Sequence, residues 1–294
     1  MSHAHQRNPG HGQHHDHRAG HDQAVVLDWD AQVLAEVNAD IIEQLPLPTP
    51  PRRIVDFGCG TGTGTFALLD RFPHASITAV DSSAEHLRRL RDKATDRGLH
   101  DRVRIVQAVL DGADWPQLVA PELVWASASL HHLASPDDSL RRLHDLLAPG
   151  GLLAVVELAG FPRFLPDSAP AHRPGLEERC HAATAPDFAD HLPHRGADWG
   201  RMLVAAGFAI EHQRTIAVRI DAAGNAGVGA YALAGLRGIR RSVAGKLSPE
   251  DLTALDRLLD TGGADSVLAR TDLVLRTERQ VWAARRAVDS SNVR

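Results

Sequence analysis

A glycine-rich segment after one short apolar run has the spacing of a ligand-binding loop. Its glycines are Gly58, Gly60 and Gly62. Glycine lets a chain turn tightly and pass close to a ligand, and the N-terminus of a following helix offers free N–H groups and partial positive charge. Asp81 stands 25 residues after Asp56, at the end of the next apolar run, where a carboxylate can accept both hydroxyls of a ribose. Together these residues predict a site for an adenosine-bearing ligand.

The register of the glycines separates two classes of ligand. The dinucleotide fingerprint G-x-G-x-x-G requires glycine at the sixth position, but counting from Gly58 that position is Thr63. A looser version through Gly62, Gly64 and Ala67 begins four residues too late. The pattern that fits is D-x-G-x-G-x-G, beginning at Asp56. An NAD(P)-dependent oxidoreductase is therefore kept only as an alternative.

Strand-like and helix-like patterns alternate along most of the chain, which is typical of a parallel sheet covered on both faces. Strands are predicted at residues 54–57, 77–80, 103–110, 123–126, 152–158, 208–220 and 274–284. The predicted fold class is α/β: a Rossmann-like, doubly wound and mostly parallel seven-stranded sheet with helical lid insertions. The insertions are residues 160–197 and 221–272, and both leave the sheet after a strand, where lids commonly form.

The two ends of the chain differ from this pattern. Residues 1–24 contain seven histidines and no apolar periodicity, so a disordered tail is predicted there. Weak binding of a transition metal by these imidazoles is left open. Residues 25–288 are predicted to form a single domain, and residues 289–294 a C-terminal tail.

Composition and charge exclude several classes of protein. No apolar run approaches the ~18 residues of a membrane span, and no signal peptide is recognisable, so we expect no membrane partner. Cys59 and Cys180 cannot form a framework of disulfides, which favours a cytoplasmic protein. The net charge of −5, with only 4% aromatic residues and no basic run, indicates that nucleic acid is not a partner.

Five segments, in this order, resemble the motifs of class I S-adenosylmethionine-dependent methyltransferases. They are residues 55–62, 79–82, 111–116, 130–133 and 147–157. The resemblance covers roughly residues 50–160 and neither insertion. It implies the cofactor S-adenosyl-L-methionine and a reaction in which an oxygen, nitrogen or carbon atom of a small molecule displaces the activated methyl group in line.

The same resemblance implies roles for individual residues. Gly58, Gly60 and Gly62 would lie against the methionine part of the cofactor. Asp56 would orient its amino group, and Asp81 would bind the ribose. The other members of the predicted cofactor-binding set are Ser82, Asp111, Gly112 and Ser127, with Asp111 and Gly112 at the adenine.

Candidates for contact with the acceptor follow from their place after strands four and five. His131 and His132 are suited to removing a proton near neutral pH, and Glu157 ends strand five; all three are predicted as catalytic residues. The first insertion adds polar candidates, and residues in and around the insertions add apolar pocket walls. The polar ones are His172, Arg173, Glu177, Glu178, Arg179, Cys180 and His181, and the apolar ones are Phe161, Phe164, Trp199 and Tyr231.

The sequence after strand four also limits the acceptor. The N/D-P-P-Y/F motif of amide and nucleobase nitrogen methylation is replaced by residues 127–130, Ser-Ala-Ser-Leu. No acidic ligand set for a catalytic metal can be assembled. The predicted partner is therefore a small-molecule acceptor, with homodimerisation left open. The further alternative is a non-catalytic nucleotide- or metal-binding protein on the same fold.

Overall fold

Seven strands form one sheet in the order β3-β2-β1-β4-β5-β7-β6 in the computed structural model, which describes residues 10–112, 115 and 117–287. The strands are β1 Arg53–Phe57, β2 Ser76–Asp81, β3 Val103–Gln107, β4 Leu123–Ser127, β5 Leu152–Leu158, β6 Ala209–Asp221 and β7 Val274–Arg285. The first five are parallel, whereas β7 runs antiparallel to both β5 and β6. The predicted fold class is confirmed.

Helices cover both faces of the sheet. They are α1 Gly10–Val33, α2 Ala35–Glu43, α3 Thr63–Arg71, α4 Ala84–Asp96, α5 Pro136–Leu146, α6 Leu176–His191, α7 Trp199–Ala205, α8 Gly227–Ser242 and α9 Pro249–Leu259. Side chains alternate between the faces along a strand. Ile54 accordingly packs in the core with α2, α3 and α4, whereas its neighbour Val55 packs in the core with α5 and α7.

The two insertions share a third core with the N-terminal helices. Leu34 at the junction of α1 and α2, Val228 of α8 and Leu255 of α9 are fully buried in it, together with Phe164 and Leu176 of the first insertion. The treatment of residues 25–288 as one domain stays a prediction, and residues 288–294 lie outside the part of the chain that the structure describes.

Two local features differ from the sequence prediction. Helix α1 begins at Gly10, inside the tail predicted to be disordered over residues 1–24, and Ala24 is fully buried; residues 1–9 lie outside the described region. Strand β3 ends at Gln107 rather than at residue 110, because the chain turns at Val109, whose carbonyl accepts the Gly112 N–H. No helix in the described residues is long and apolar enough to span a bilayer.

Candidate active site

The glycine loop is tied to the neighbouring strand by its first two amides. The N–H groups of Gly58 and Cys59 both donate to the Val80 carbonyl, at 2.8 and 3.0 Å. Gly58 has a φ of 77°, and a Cβ atom there would lie 2.3 Å from the Cβ of Ser129. Only glycine can therefore hold the loop this close to the end of β4.

Asp81, at the end of β2, shapes the same loop. Its Oδ2 accepts the Gly60 N–H at 2.9 Å, and its Oδ1 accepts the Ser83 N–H at 2.8 Å. Burial raises the pKa of this carboxyl, but the His86 ring and these two amides outweigh burial and hold the pKa below its usual value. The side chain is therefore an anion at neutral pH. Each oxygen keeps lone-pair capacity for a ligand hydroxyl.

Asp56, at the foot of the loop, has the opposite electrostatic character. It is 2% exposed and accepts a hydrogen bond from the Thr65 hydroxyl at 2.6 Å. Burial, reinforced by the negative charge of Asp81, raises the pKa of Asp56 to about 7. Its implied role with the cofactor amino group stays a prediction. A cationic group bound beside Asp56 would favour the ionised form of this carboxyl.

We expect the substitution Asp56→Asn to change how folding stability depends on pH. A carboxyl whose pKa rises from 3.8 to about 7 on folding gives stability that is fully present below about pH 4 and is lost as the pH rises to about 7. The melting-temperature difference between Asp56→Asn and the natural protein should therefore grow in favour of the variant across this window. Thermal unfolding of the ligand-free protein at several pH values measures it. A constant difference, like that of the exposed control Asp101→Asn, would refute the assignment.

The predicted adenine-side residues lie close to the loop after β4. Asp111 accepts the Ala134 N–H at 2.6 Å, and Arg142 donates to the Gly112 carbonyl at 2.7 Å. These contacts connect the segment after β3 to the segment after β4. The Ser82 carbonyl accepts a hydrogen bond from the Gln107 side chain. Its neighbour Ser83 caps the N-terminus of α4. Residues 113, 114 and 116 of the corresponding motif lie outside the described residues.

Two of the three predicted catalytic residues form a buried pair. Glu157 Oε2 lies 2.6 Å from His131 Nδ1, and both residues are 1% exposed. Glu157 Oε1 accepts backbone N–H groups of Ser129, Leu130 and His131, at 3.1, 2.8 and 3.4 Å. The pair therefore holds the loop after β4, which continues from Ser127 through the left-handed residue Ala128 (φ 50°). Neither side chain is free to reach a ligand in this arrangement.

His132, the third predicted catalytic residue, is exposed and lies in the segment that follows β4. Its ring centroid lies 4.3 Å from that of His131. Although the residue is exposed, the surrounding protein partly desolvates its ring. This desolvation, together with the neighbouring His131, lowers the pKa of His132 to about 4. The imidazole is consequently neutral at physiological pH, and it is a weaker base than an ordinary histidine.

Helix α1 lies across the glycine loop, which the sequence analysis did not foresee. Asp28 accepts hydrogen bonds from the Thr61 hydroxyl of the loop at 2.7 Å and from Lys93 at 2.6 Å. Leu27 is the neighbour that a Cβ at Gly60 would meet, at 3.4 Å, so a side chain at Gly60 would enter the space between loop and helix. No sequence pattern indicated these contacts, because they join residues more than 30 positions apart.

An adenosyl ligand with a cationic amino acid part fits these residues on chemical grounds. Asp81 provides an anion with spare acceptor capacity, and the glycine at position 60 keeps the narrow space between the loop and Leu27 of α1 free of a side chain. These are the groups that would hold S-adenosylmethionine. The cofactor-binding roles of the individual residues stay predictions.

Most of the polar candidates of the first insertion have structural partners instead. Arg173 and Arg179 both bind Asp251 of α9, at 2.7 and 2.8 Å. Glu177 accepts the N–H groups of Phe164 and Leu165, and Glu178 pairs with Arg163. The arginine contacts hold the two insertions together, and the glutamate contacts lie within the first insertion. Cys180, Phe164 and Trp199 are buried in the core, and His172 is exposed.

The remaining candidates of this region lie near Asp30 of α1 and near Phe161. The Tyr231 hydroxyl donates to Asp30 at 2.6 Å, and Arg279 of β7 binds the same oxygen at 2.7 Å. The rings of Phe161 and His181 stack with centroids 6.0 Å apart. Arg195, which the sequence analysis did not single out, lies over Phe161 with its guanidinium carbon 4.0 Å from the ring centroid.

A large groove of about 730 Å³ lies at the end of the sheet where the parallel strands begin, opposite the glycine loop. It is lined by Arg52, Glu122 and Gly151, which directly precede β1, β4 and β5. Ligands of open α/β sheets bind beyond the carboxyl ends of the strands. The glycine loop, Asp81 and His132 all lie at those ends, so we locate the active site there.

Comparison with known proteins agrees with this location. Residues 55–153 match the family described as "Methyltransferase domain". Over 135 residues the chain is 38% identical to the trans-aconitate 2-methyltransferase of Acidovorax sp. strain JS42, covering 44% of this chain and 49% of that protein. The chain thus spans about half the length of this relative.

A longer match reaches beyond the central motifs. The trans-aconitate 2-methyltransferase of Methylobacterium nodulans is 34% identical over 242 residues, which is 75% of this chain and 80% of that protein. A candidate methyltransferase from Bacillus halodurans C-125 shares the fold, with a TM-score of 0.53 and 17% identity over 85% of this chain and 98% of that one. The chain belongs to the class I S-adenosylmethionine-dependent methyltransferase family.

Proposed function

We propose that this protein transfers a methyl group from S-adenosylmethionine to an oxygen or nitrogen atom, or to a carbon atom, of a small-molecule metabolite. The observation that carries the proposal is the ionised Asp81, which binds the Gly60 amide of the glycine loop and keeps acceptor capacity for a ribose. Family membership supports the same conclusion.

The protein's own contribution is mainly binding and alignment. S-adenosylmethionine supplies an already activated methyl group when bound, so the chain needs to orient the acceptor and exclude water, which is worth ~7–11 kcal/mol in favourable cases. Helix α1 covers the loop through Asp28 and Thr61. The Glu157–His131 pair fixes the segment that presents His132 at the crevice.

Relatives suggest which acceptor to examine first. Several are named trans-aconitate 2-methyltransferase, and trans-aconitate is a tricarboxylic acid. A carboxylate oxygen is already deprotonated, so its methylation gives an ester without any base. For a hydroxyl acceptor, His132 would be the base, but a pKa of about 4 makes it a weak one near neutral pH.

Cofactor binding and methyl transfer test this function together. We expect calorimetry to detect binding of S-adenosylhomocysteine but not of NADH. We also expect radiolabel from methyl-labelled S-adenosylmethionine to enter trans-aconitate. Binding of NADH without S-adenosylhomocysteine would favour the oxidoreductase alternative. Binding of S-adenosylhomocysteine with no transfer to any acid, alcohol or amine in a panel would favour a non-catalytic protein.

We infer a cytoplasmic setting for the reaction. It is supported by the two cysteines, Cys59 and Cys180, which are both buried and unpaired. A small-molecule acceptor is supported by the names of the relatives, and homodimerisation stays a prediction that light scattering can examine.

A further inference from the structure

We propose that Arg195, which lies over the ring of Phe161, forms a subsite that binds a carboxylate group of the acceptor. The inference rests on the proposed function, because it assumes that the acceptor enters the crevice in front of His132. It adds a residue that would recognise an acidic acceptor and determine specificity.

Position is the first argument. Arg195 lies between α6 and α7, and its Nη1 donates to the Gly160 carbonyl at 3.1 Å, two residues beyond the end of β5. Its positive charge acts on both His132 and Glu157. The guanidinium therefore lies at the carboxyl ends of β4 and β5, on the rim that an acceptor must approach.

Charge is the second argument. Arg195 forms no ion pair with any carboxylate in the described part of the chain, and its Nε is buried without a hydrogen-bond partner. Desolvation lowers the pKa of this group. The nearby Arg279, by contrast, is paired with Asp30 at 2.7 Å. A partly buried cation with an unused donor is costly unless an anion joins it, so Arg195 has capacity for a ligand.

A second buried nitrogen without a partner belongs to a residue that shares the Phe161 contact with Arg195. His181 is 9% exposed, and its Nε2 is buried without a partner. Burial lowers the pKa of His181 to about 4, so the ring is neutral and one of its nitrogens carries a proton. Phe161 contacts both groups, since its ring stacks with His181 and lies under the guanidinium of Arg195.

The chemistry of the cluster favours a carboxylate over a phosphate. One edge of a guanidinium matches the two oxygens of a planar carboxylate. Only one unpaired cation is present in the cluster, and the Glu157 carboxylate lies close enough to act on it. A singly charged group is therefore better balanced there than a phosphate dianion.

Calorimetry on the protein saturated with S-adenosylhomocysteine tests the subsite. The ligands are trans-aconitate, its neutral trimethyl ester and inorganic phosphate. We expect the acid to bind the natural protein and the ester to bind at least ten-fold more weakly. Arg195→Gln should weaken binding of the acid about ten- to hundred-fold, which is the loss expected for a charge-assisted hydrogen bond. Arg195→Lys, which keeps the charge but loses the planar edge, should lie in between.

The control is Arg201→Gln, which removes an exposed arginine of α7 and should leave both affinities unchanged. The subsite is wrong if the natural protein binds no acid, if acid and ester bind equally, or if Arg195→Gln behaves like the control. Phosphate that competes as well as the acid would contradict the carboxylate assignment. If the natural protein did not bind S-adenosylhomocysteine, the proposed function would be overturned instead.

Discussion

Asp81→Asn should weaken the binding of S-adenosylhomocysteine about ten- to hundred-fold. A charge-assisted hydrogen bond contributes ~1.5–3 kcal/mol, and the asparagine keeps one oxygen acceptor while losing the charge. The carboxylate also accepts the Gly60 amide at 2.9 Å, so the variant loosens the loop as well. Calorimetry measures the affinity. Asp92→Asn on the surface of α4, where the side chain is 60% exposed, is the matched control.

A ligand lacking the ribose 2′-hydroxyl separates contact with the ligand from shaping of the loop. If Asp81 binds the ribose, the 2′-deoxy analogue of S-adenosylhomocysteine should already bind the natural protein more weakly. Asp81→Asn should then cost less with the analogue than with the parent compound, as in a double-mutant cycle. Equal costs with both ligands would show that Asp81 acts only on the loop.

Glu157→Ala should lower the free energy of unfolding by about 3–5 kcal/mol, the range found when one partner of a buried pair is removed. The variant leaves His131 and the amides of Ser129 and Leu130 without their acceptor inside the protein. Chemical denaturation measures the loss. Glu178→Ala, which removes an acid that is 66% exposed at its side chain, should cost only about 0–1 kcal/mol.

A further variant, Glu157→Gln, tests whether Glu157 is catalytic, as its position in the sequence predicts. A structural role requires that Glu157→Gln lose stability together with activity. If Glu157→Gln kept the stability of the natural protein and the affinity for S-adenosylhomocysteine but lost methyl transfer, the side chain would act on the acceptor after all.

The parts of the site that the sequence predicts are those with local chemical logic. Gly58 and Asp81 are recognisable because a tight turn and an acid at a strand end leave their signature within a few residues. The partnership of Glu157 and His131 is harder to predict, since they are 26 positions apart and meet only because β4 and β5 are neighbours. Sequence spacing placed both at the crevice but did not show that they bind each other.

Arg195 and α1 escaped prediction for a different reason. Arg195 lies in a segment rich in polar residues, where nothing distinguishes an arginine that has a carboxylate partner from one that lacks it. The beginning of α1 lies among histidines and glycines, whose low helix propensity hides the helix. Its anchoring residues Asp28 and Asp30 contact Thr61, Tyr231 and Arg279, and such distant contacts leave no periodicity.

The position of α1 links residues that touch no ligand to the timing of turnover. A molecule leaving the crevice beside Gly60 must pass the helix that Asp28 and Asp30 fasten at two points. How long product stays bound then depends on how often those fastenings break, so changes in this helix can slow or speed release while the pocket itself keeps its selectivity.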